Sequence, residues 1–136
     1  MTTFDTFIRK QKLLGVQFEQ FLYRMADKFS ASYKGGYWKS KNLEGVENFF
    51  YLELDDDVMY EIRNDENCYD KGAMDSKTFS LAIFAYALNI FGYHIYNQGK
   101  IEASKDFFDL HNFVMANALT ILGDEEKHSQ FYWFLD

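Results

Sequence analysis

From Leu13 onward, large apolar residues return every three or four positions: Leu14, Phe18, Phe21, Leu22, Met25 and Phe29. This stripe predicts an amphipathic helix running to about Ser32, with Arg24, Asp27 and Lys28 on its wet face. Gly35 and Gly36 stop it, because glycine takes positive φ at little cost and lets the chain turn. The period then changes to two. The segment YWKSKNL has strand character and EGVEN reads as a turn. In NFFYLELD, Phe50, Leu52 and Leu54 alternate with Phe49, Tyr51 and Glu53 on opposite faces. Asp55–Asp57 forms a further turn and VMYEIR a third strand, so the middle of the chain is expected to be an antiparallel meander.

A polar loop, NDENCYDKGAMDS, follows with no period. Asp75 or Ser76 caps the next helix, which runs to about Asn97. This helix is apolar almost all round (Phe79, Leu81, Ile83, Phe84, Tyr86, Leu88, Ile90, Phe91), which is the mark of a central helix covered on several sides. A membrane span over Phe79–Tyr96 is conceivable. Ser80, Asn89, Gly92, His94 and scattered alanines favour a buried helix of a soluble domain. A further helix starts near Ala103, carries Phe107, Leu110, Val114, Ala118 and Ile121 on one stripe, and ends at Gly123. A last short helix begins at the cap Asp124, with acids in its first turn. Residues 1–12 are polar and mildly basic, a frayed lead-in or an extra turn. The expectation is one α+β domain over residues 1–136: an N-terminal helix, a three-stranded antiparallel meander, then two to three C-terminal helices packed on the sheet.

Charge narrows the functional classes. The net charge is −7, and it is unevenly placed: residues 1–54 carry 8 Lys and Arg against 6 Asp and Glu, while residues 55–136 carry 6 against 15. Direct nucleic-acid binding is disfavoured, since phosphate neutralisation needs a basic face. Aromatic residues reach 20%, with 15 Phe and 10 Tyr, and proline is absent; this content suits a well-filled core. The single cysteine, Cys68, excludes an internal disulfide and fits a reducing compartment. No secretory signal is visible in MTTFDTFIRKQK, so a cytoplasmic location is expected.

Candidate chemistry is sparse. His94, His111 and His128 recur every 17 residues, a spacing that matches no compact metal site. His111 lies on the apolar stripe of its helix. Acidic neighbours Asp65, Glu66 and Asp70 would raise the Cys68 thiol pKa, the wrong direction for a nucleophile. No Walker-type loop or nucleophile elbow occurs. Carboxylate pairs such as Asp55 with Asp57 and Asp106 with Asp109 do acid–base work only where their environments split their pKa values. The acidic clusters at 55–57, 65–66 and 124–126 are explained by a turn, a loop and a helix start. No catalytic residue, metal, cofactor or small-molecule substrate is therefore expected. A metal-dependent enzyme built on the histidines and carboxylates is the remote alternative.

The most distinctive stretch is YKGGYWKS. Tyr33, Gly35, Gly36, Tyr37 and Trp38, followed about a dozen residues later by Phe50, Tyr51 and Leu52, give a pattern that resembles the ArdB/KlcA family of antirestriction proteins. The likeness in element order extends over about residues 13–135. Lys39 replaces the family's acid after the tryptophan, Asn48 and Phe49 replace a glycine pair, and Glu53 and Leu54 replace Ala-Pro. The resemblance implies a small non-enzymatic protein of a plasmid, phage or integrated element. Such a protein acts in the bacterial cytoplasm and relieves type I restriction of incoming DNA. Its partner would be a protein, with a type I restriction–modification enzyme the leading candidate; a binding or regulatory module with another protein partner is the alternative. Candidate interface residues are Tyr33, Tyr37, Trp38, Asp55, Asp56 and Asp57, with Gly35 and Gly36 as the structural turn. Two roles stay open for the aromatics: core filling, or a patch rimmed by Lys34 and Lys39. Alternation places Tyr37 and Trp38 on opposite faces, so at least one can face solvent.

Overall fold

Phe4, Phe7, Ile8 and Gln11 recur at helical spacing near the start of the chain, and a computed structural model, which describes residues 2–63 and 72–135, turns them into a helix, α1 (Thr3–Gln11). This corrects the expectation of a frayed lead-in. Thr2 and Asp5 cap the helix reciprocally: the Asp5 amide donates to Thr2 Oγ1 and the Thr2 amide to Asp5 Oδ2, both at 3.1 Å, leaving fewer end groups unsatisfied. Phe7 inserts between Phe18, Phe50 and Phe107, with ring centroids at 6.5, 5.7 and 5.1 Å. The segment is thus a structural layer. Lys12, at φ 57°, breaks the path between α1 and α2 (Leu13–Phe29). Gly15 lets α2 lie close against α1, since a Cβ there would collide with the Ile8 carbonyl oxygen.

After α2, strands β1 (Trp38–Leu43) and β2 (Val46–Leu54) form an antiparallel hairpin in which Trp38 faces Leu54 and Ser40 faces Leu52. Phe50, Leu52 and Leu54 point into the core as the alternation requires. The other face is also largely covered: Tyr51 is buried, and Phe49 stacks on Phe113 at 5.1 Å.

The expected third strand does not join this pair among the described residues. Only β3 (Tyr60–Glu61) is extended and paired in VMYEIR, and its partner is β4 (Ala73–Met74), not β2. The Asp55–Asp57 turn, carrying Val58 and Met59 exposed after it, leads the chain away from the hairpin edge. Among the described residues the fold is α+β with two small two-stranded sheets. The loop holding Cys68 and the 65–66 acid pair falls outside the described residues.

Helix α3 (Ser76–Asn97) is central. Its N-cap Asp75 accepts from the Thr78 amide at 2.8 Å. Phe79, Leu81, Ile83, Phe84 and Leu88 are fully buried among α2, β2, α4 and α5. Its length and composition would suffice to cross a membrane, yet 72% of the apolar window is buried within the domain. Helices α4 (Ile101–Leu122) and α5 (Glu125–Leu135) complete the layer, so three C-terminal helices are present among the described residues. Asp106 ties α4 back to α1, accepting from Gln11 Nε2 at 2.8 Å and pairing with Lys10 at 3.4 Å.

Candidate functional site

The glycine pair does two jobs at the α2-to-β1 junction. Gly35 at φ 85° and Gly36 at φ 150° turn the chain in a region that L side chains avoid,. Gly36 also passes close to the end of β2: a Cβ there would lie 3.2 Å from Leu54 Cδ2. The backbone is then pinned, with the Asp55 amide donating to the Tyr37 carbonyl at 2.8 Å.

Around this turn the three aromatics separate. Tyr33 and Trp38 are 8% and 6% exposed, and the indole N–H of Trp38 donates to the Tyr33 hydroxyl at 3.0 Å. The bond satisfies the indole donor, which would otherwise be buried at a cost of about 1–3 kcal/mol. Tyr33 sits beside Tyr60 and Phe79, themselves stacked at 4.3 Å with 13° between their planes; such pairs are worth ~0.5–1.5 kcal/mol beyond burial. Tyr23 flanks Trp38 at 6.1 Å. An interface patch built on Tyr33 and Trp38 is therefore corrected: both rings are core. Tyr37 is 66% exposed, as strand alternation permits.

The three aspartates of the neighbouring turn also differ. Asp55 is exposed and pairs with Lys39 at 3.2 Å. Asp57 is exposed. Asp56 turns inward and accepts from the Tyr60 hydroxyl at 2.7 Å and the Val58 amide at 3.1 Å. Partial burial works against its charge, but hydrogen bonds from Tyr60, Val58 and Ser76 outweigh it and hold the carboxyl below its ordinary pKa,. Burial, then the bond to Asp56, pushes the Tyr60 hydroxyl well above the usual phenol range.

The hairpin thus joins two segments far apart in sequence. Its open edge presents Tyr37, Asp55 and Asp57, continued by Val58 and Met59 at 42% and 56% exposure. Sequence reasoning missed the last two, which were assigned to a strand. Two apolar residues directly after an acidic triplet were the available signal.

The histidines sit on three different helices: His94 is exposed on α3, His111 half-buried on α4, and His128 half-buried on α5 against Phe131 and Tyr132. Burial lowers the His111 pKa, with the Asn112 side chain opposing. Among the described residues no group of three or more His, Cys, Asp or Glu converges on a common point.

No family model matches this chain, and no curated protein or solved structure is significantly similar to it. What the fold defines is an acidic α+β domain whose hairpin end exposes Tyr37, Asp55 and Asp57.

Proposed function

We propose that this chain is an antirestriction protein of a mobile genetic element, relieving type I restriction in the bacterial cytoplasm by contact with the restriction–modification enzyme rather than by catalysis. The observation that carries the reading is the helix–Gly-Gly-Tyr-Trp–hairpin junction, which presents Tyr37, 66% exposed, across from Asp55, with Asp57 exposed two residues further on. A large ring with an apolar body and a polar tip is a favourable anchor in protein interfaces, and the flanking acids supply steering toward a basic surface. The test is the plating efficiency of unmodified phage on a type I restricting strain, with and without the protein. A rise of about tenfold or more is expected, equivalent to ~1.4 kcal/mol if read as an equilibrium shift. Unchanged plating across several type I systems would remove the reading.

A second reading, a binding or regulatory module of a mobile element with another protein partner, is favoured by one observation. Lys39, standing where the family pattern has an acid, neutralises Asp55 at 3.2 Å and so alters the charge of the contact edge. Affinity capture separates the two: enrichment of restriction subunits supports the first, and their absence alongside another reproducible partner supports the second.

A further inference from the structure

The open edge is acidic, but the groove between α2 and α3 is not. We infer that this groove binds a small-molecule anion, a carboxylate or phosphate carried on a compact apolar body. The inference is independent of the antirestriction reading.

Four α2 positions, Gln17, Gln20, Phe21 and Arg24, follow the i, i+3, i+4, i+7 spacing that aligns them on one wall,. The opposite wall comes from the C-terminal part of α3 (Ile90, Phe91 and His94) and its C-cap Gln98, and Lys100 closes the end. The cavity holds about 410 Å³, within the range of small-molecule sites.

Its charge runs against that of the molecule. Residues 55–136 carry 15 acids against 6 Lys and Arg, yet among the described residues no carboxylate lines the groove. Neither Arg24 nor Lys100 makes an ion pair with a described residue. The Arg24 guanidinium lies 5.8 Å over the Phe21 ring, which positions it without neutralising it. One cation on the α2 wall and one at the end of the groove, neither ion-paired with a described residue, favour an anion, and the guanidinium fork matches carboxylate or phosphate oxygens.

The remaining lining supplies orientation and an apolar seat. Gln17 and Gln20 each offer an amide donor and acceptor, while Gln98 Nε2 lies 3.3 Å from His94 Nε2,. Ile90 is 41% exposed, and Phe21 and Phe91 back it with ring centroids 6.0 Å apart. The α2 wall from residue 17 to 24 is about 10 Å long at the helical rise. That length seats one compact molecule. It lacks the row of alternate side-chain pockets that an extended peptide uses.

The test is titration of the full-length, isotope-labelled protein, followed by backbone amide shifts. The probes are indole-3-acetate and adenosine 5′-monophosphate, their neutral counterparts indole-3-acetamide and adenosine, inorganic phosphate, and an acidic hexapeptide. Saturable shifts confined to residues 17–24 and 90–100 are expected from at least one ring-bearing anion, with Kd about 1 mM or tighter. Its neutral counterpart should bind at least tenfold more weakly. Indole-3-acetate and the nucleotide tell carboxylate from phosphate recognition. The double variant Arg24→Gln with Lys100→Gln should weaken binding tenfold or more, and Lys100→Gln alone serves if the double variant fails to fold. The inference is overturned if neither ring-bearing anion saturates by about 10 mM. Equal binding of neutral and charged probes, equal shifts from phosphate alone, or saturation by the peptide only would also overturn it.

Discussion

The two sides of the Gly35–Gly36 turn use the same residue types for opposite ends. On the inner side, Tyr33 and Trp38 share a hydrogen bond of 3.0 Å and disappear beneath Tyr23, Tyr60 and Phe79. On the outer side, Tyr37 stands in solvent across from Asp55, with Asp57 also exposed. The turn makes both outcomes possible, because it delivers the chain to the strand with its alternation already fixed. Substitutions on the inner side should therefore report on stability, and those on the outer side on the proposed contact.

The largest effect is expected from Trp38→Ala. Truncating a buried tryptophan costs about 3–5 kcal/mol, a large fraction of the stability of a domain this size. It should appear as a clear drop in the denaturant midpoint, and a midpoint within error of wild type would refute the inward assignment. Gly36→Ala comes next. It places a side chain at φ 150° and 3.2 Å from Leu54 Cδ2, with an expected loss of ~1–3 kcal/mol. Gly35→Ala should cost less, because nothing lies within 4 Å of its added Cβ. Tyr33→Phe is expected to cost about 1–2 kcal/mol by orphaning the buried indole donor. Near-ultraviolet circular dichroism would register the altered tryptophan environment.

Smaller still is a pH effect at the hinge between the two sides. Asp56 is held below its ordinary pKa, so its contribution is present above the normal carboxylate range and is lost as pH falls through the lowered folded value. Asp56→Asn should therefore make the acid limb of the stability profile shallower below about pH 4. Asp75 will keep part of the slope: although desolvation opposes its charge, Thr78 and Lys127 hold its pKa down in the same direction. An unchanged acid limb would disconnect Asp56 from the Tyr60 bond. The smallest stability effect is expected from Tyr37→Ala, within ~0.5 kcal/mol. If the proposed contact is correct, this variant should nonetheless lose most of its restriction relief in the plating assay. Wild-type relief with Tyr37→Ala would move the contact elsewhere.

Much of the architecture was legible in the sequence because it rests on short periods. The stripe Phe18, Leu22 and Phe29 specified α2, the alternation Phe50, Leu52 and Leu54 specified β2, and the all-round apolar run 79–91 specified a central α3. Helix α1 was also encoded, in Phe4, Phe7 and Ile8 and in the Thr2–Asp5 cap. Its polar residues obscured that pattern, which only gains meaning once Phe7 has Phe50 and Phe107 to pack against. The third strand failed for a related reason. VMYEIR has strand propensity, but pairing depends on partners, and Tyr60 finds Met74 rather than the hairpin.

The candidate site divides in the same way. The sequence by itself determined that a glycine turn links helix to strand, that Tyr37 and Trp38 point oppositely, and that acids follow β2, since these follow from backbone geometry and local periodicity. Only the tertiary structure decided which ring is buried, that Asp56 turns inward while Asp55 and Asp57 face water, and that Arg24 and Lys100 line one groove with no carboxylate among its described lining residues. Burial and electrostatic environment depend on residues brought together from distant parts of the chain, and no local pattern carries that information.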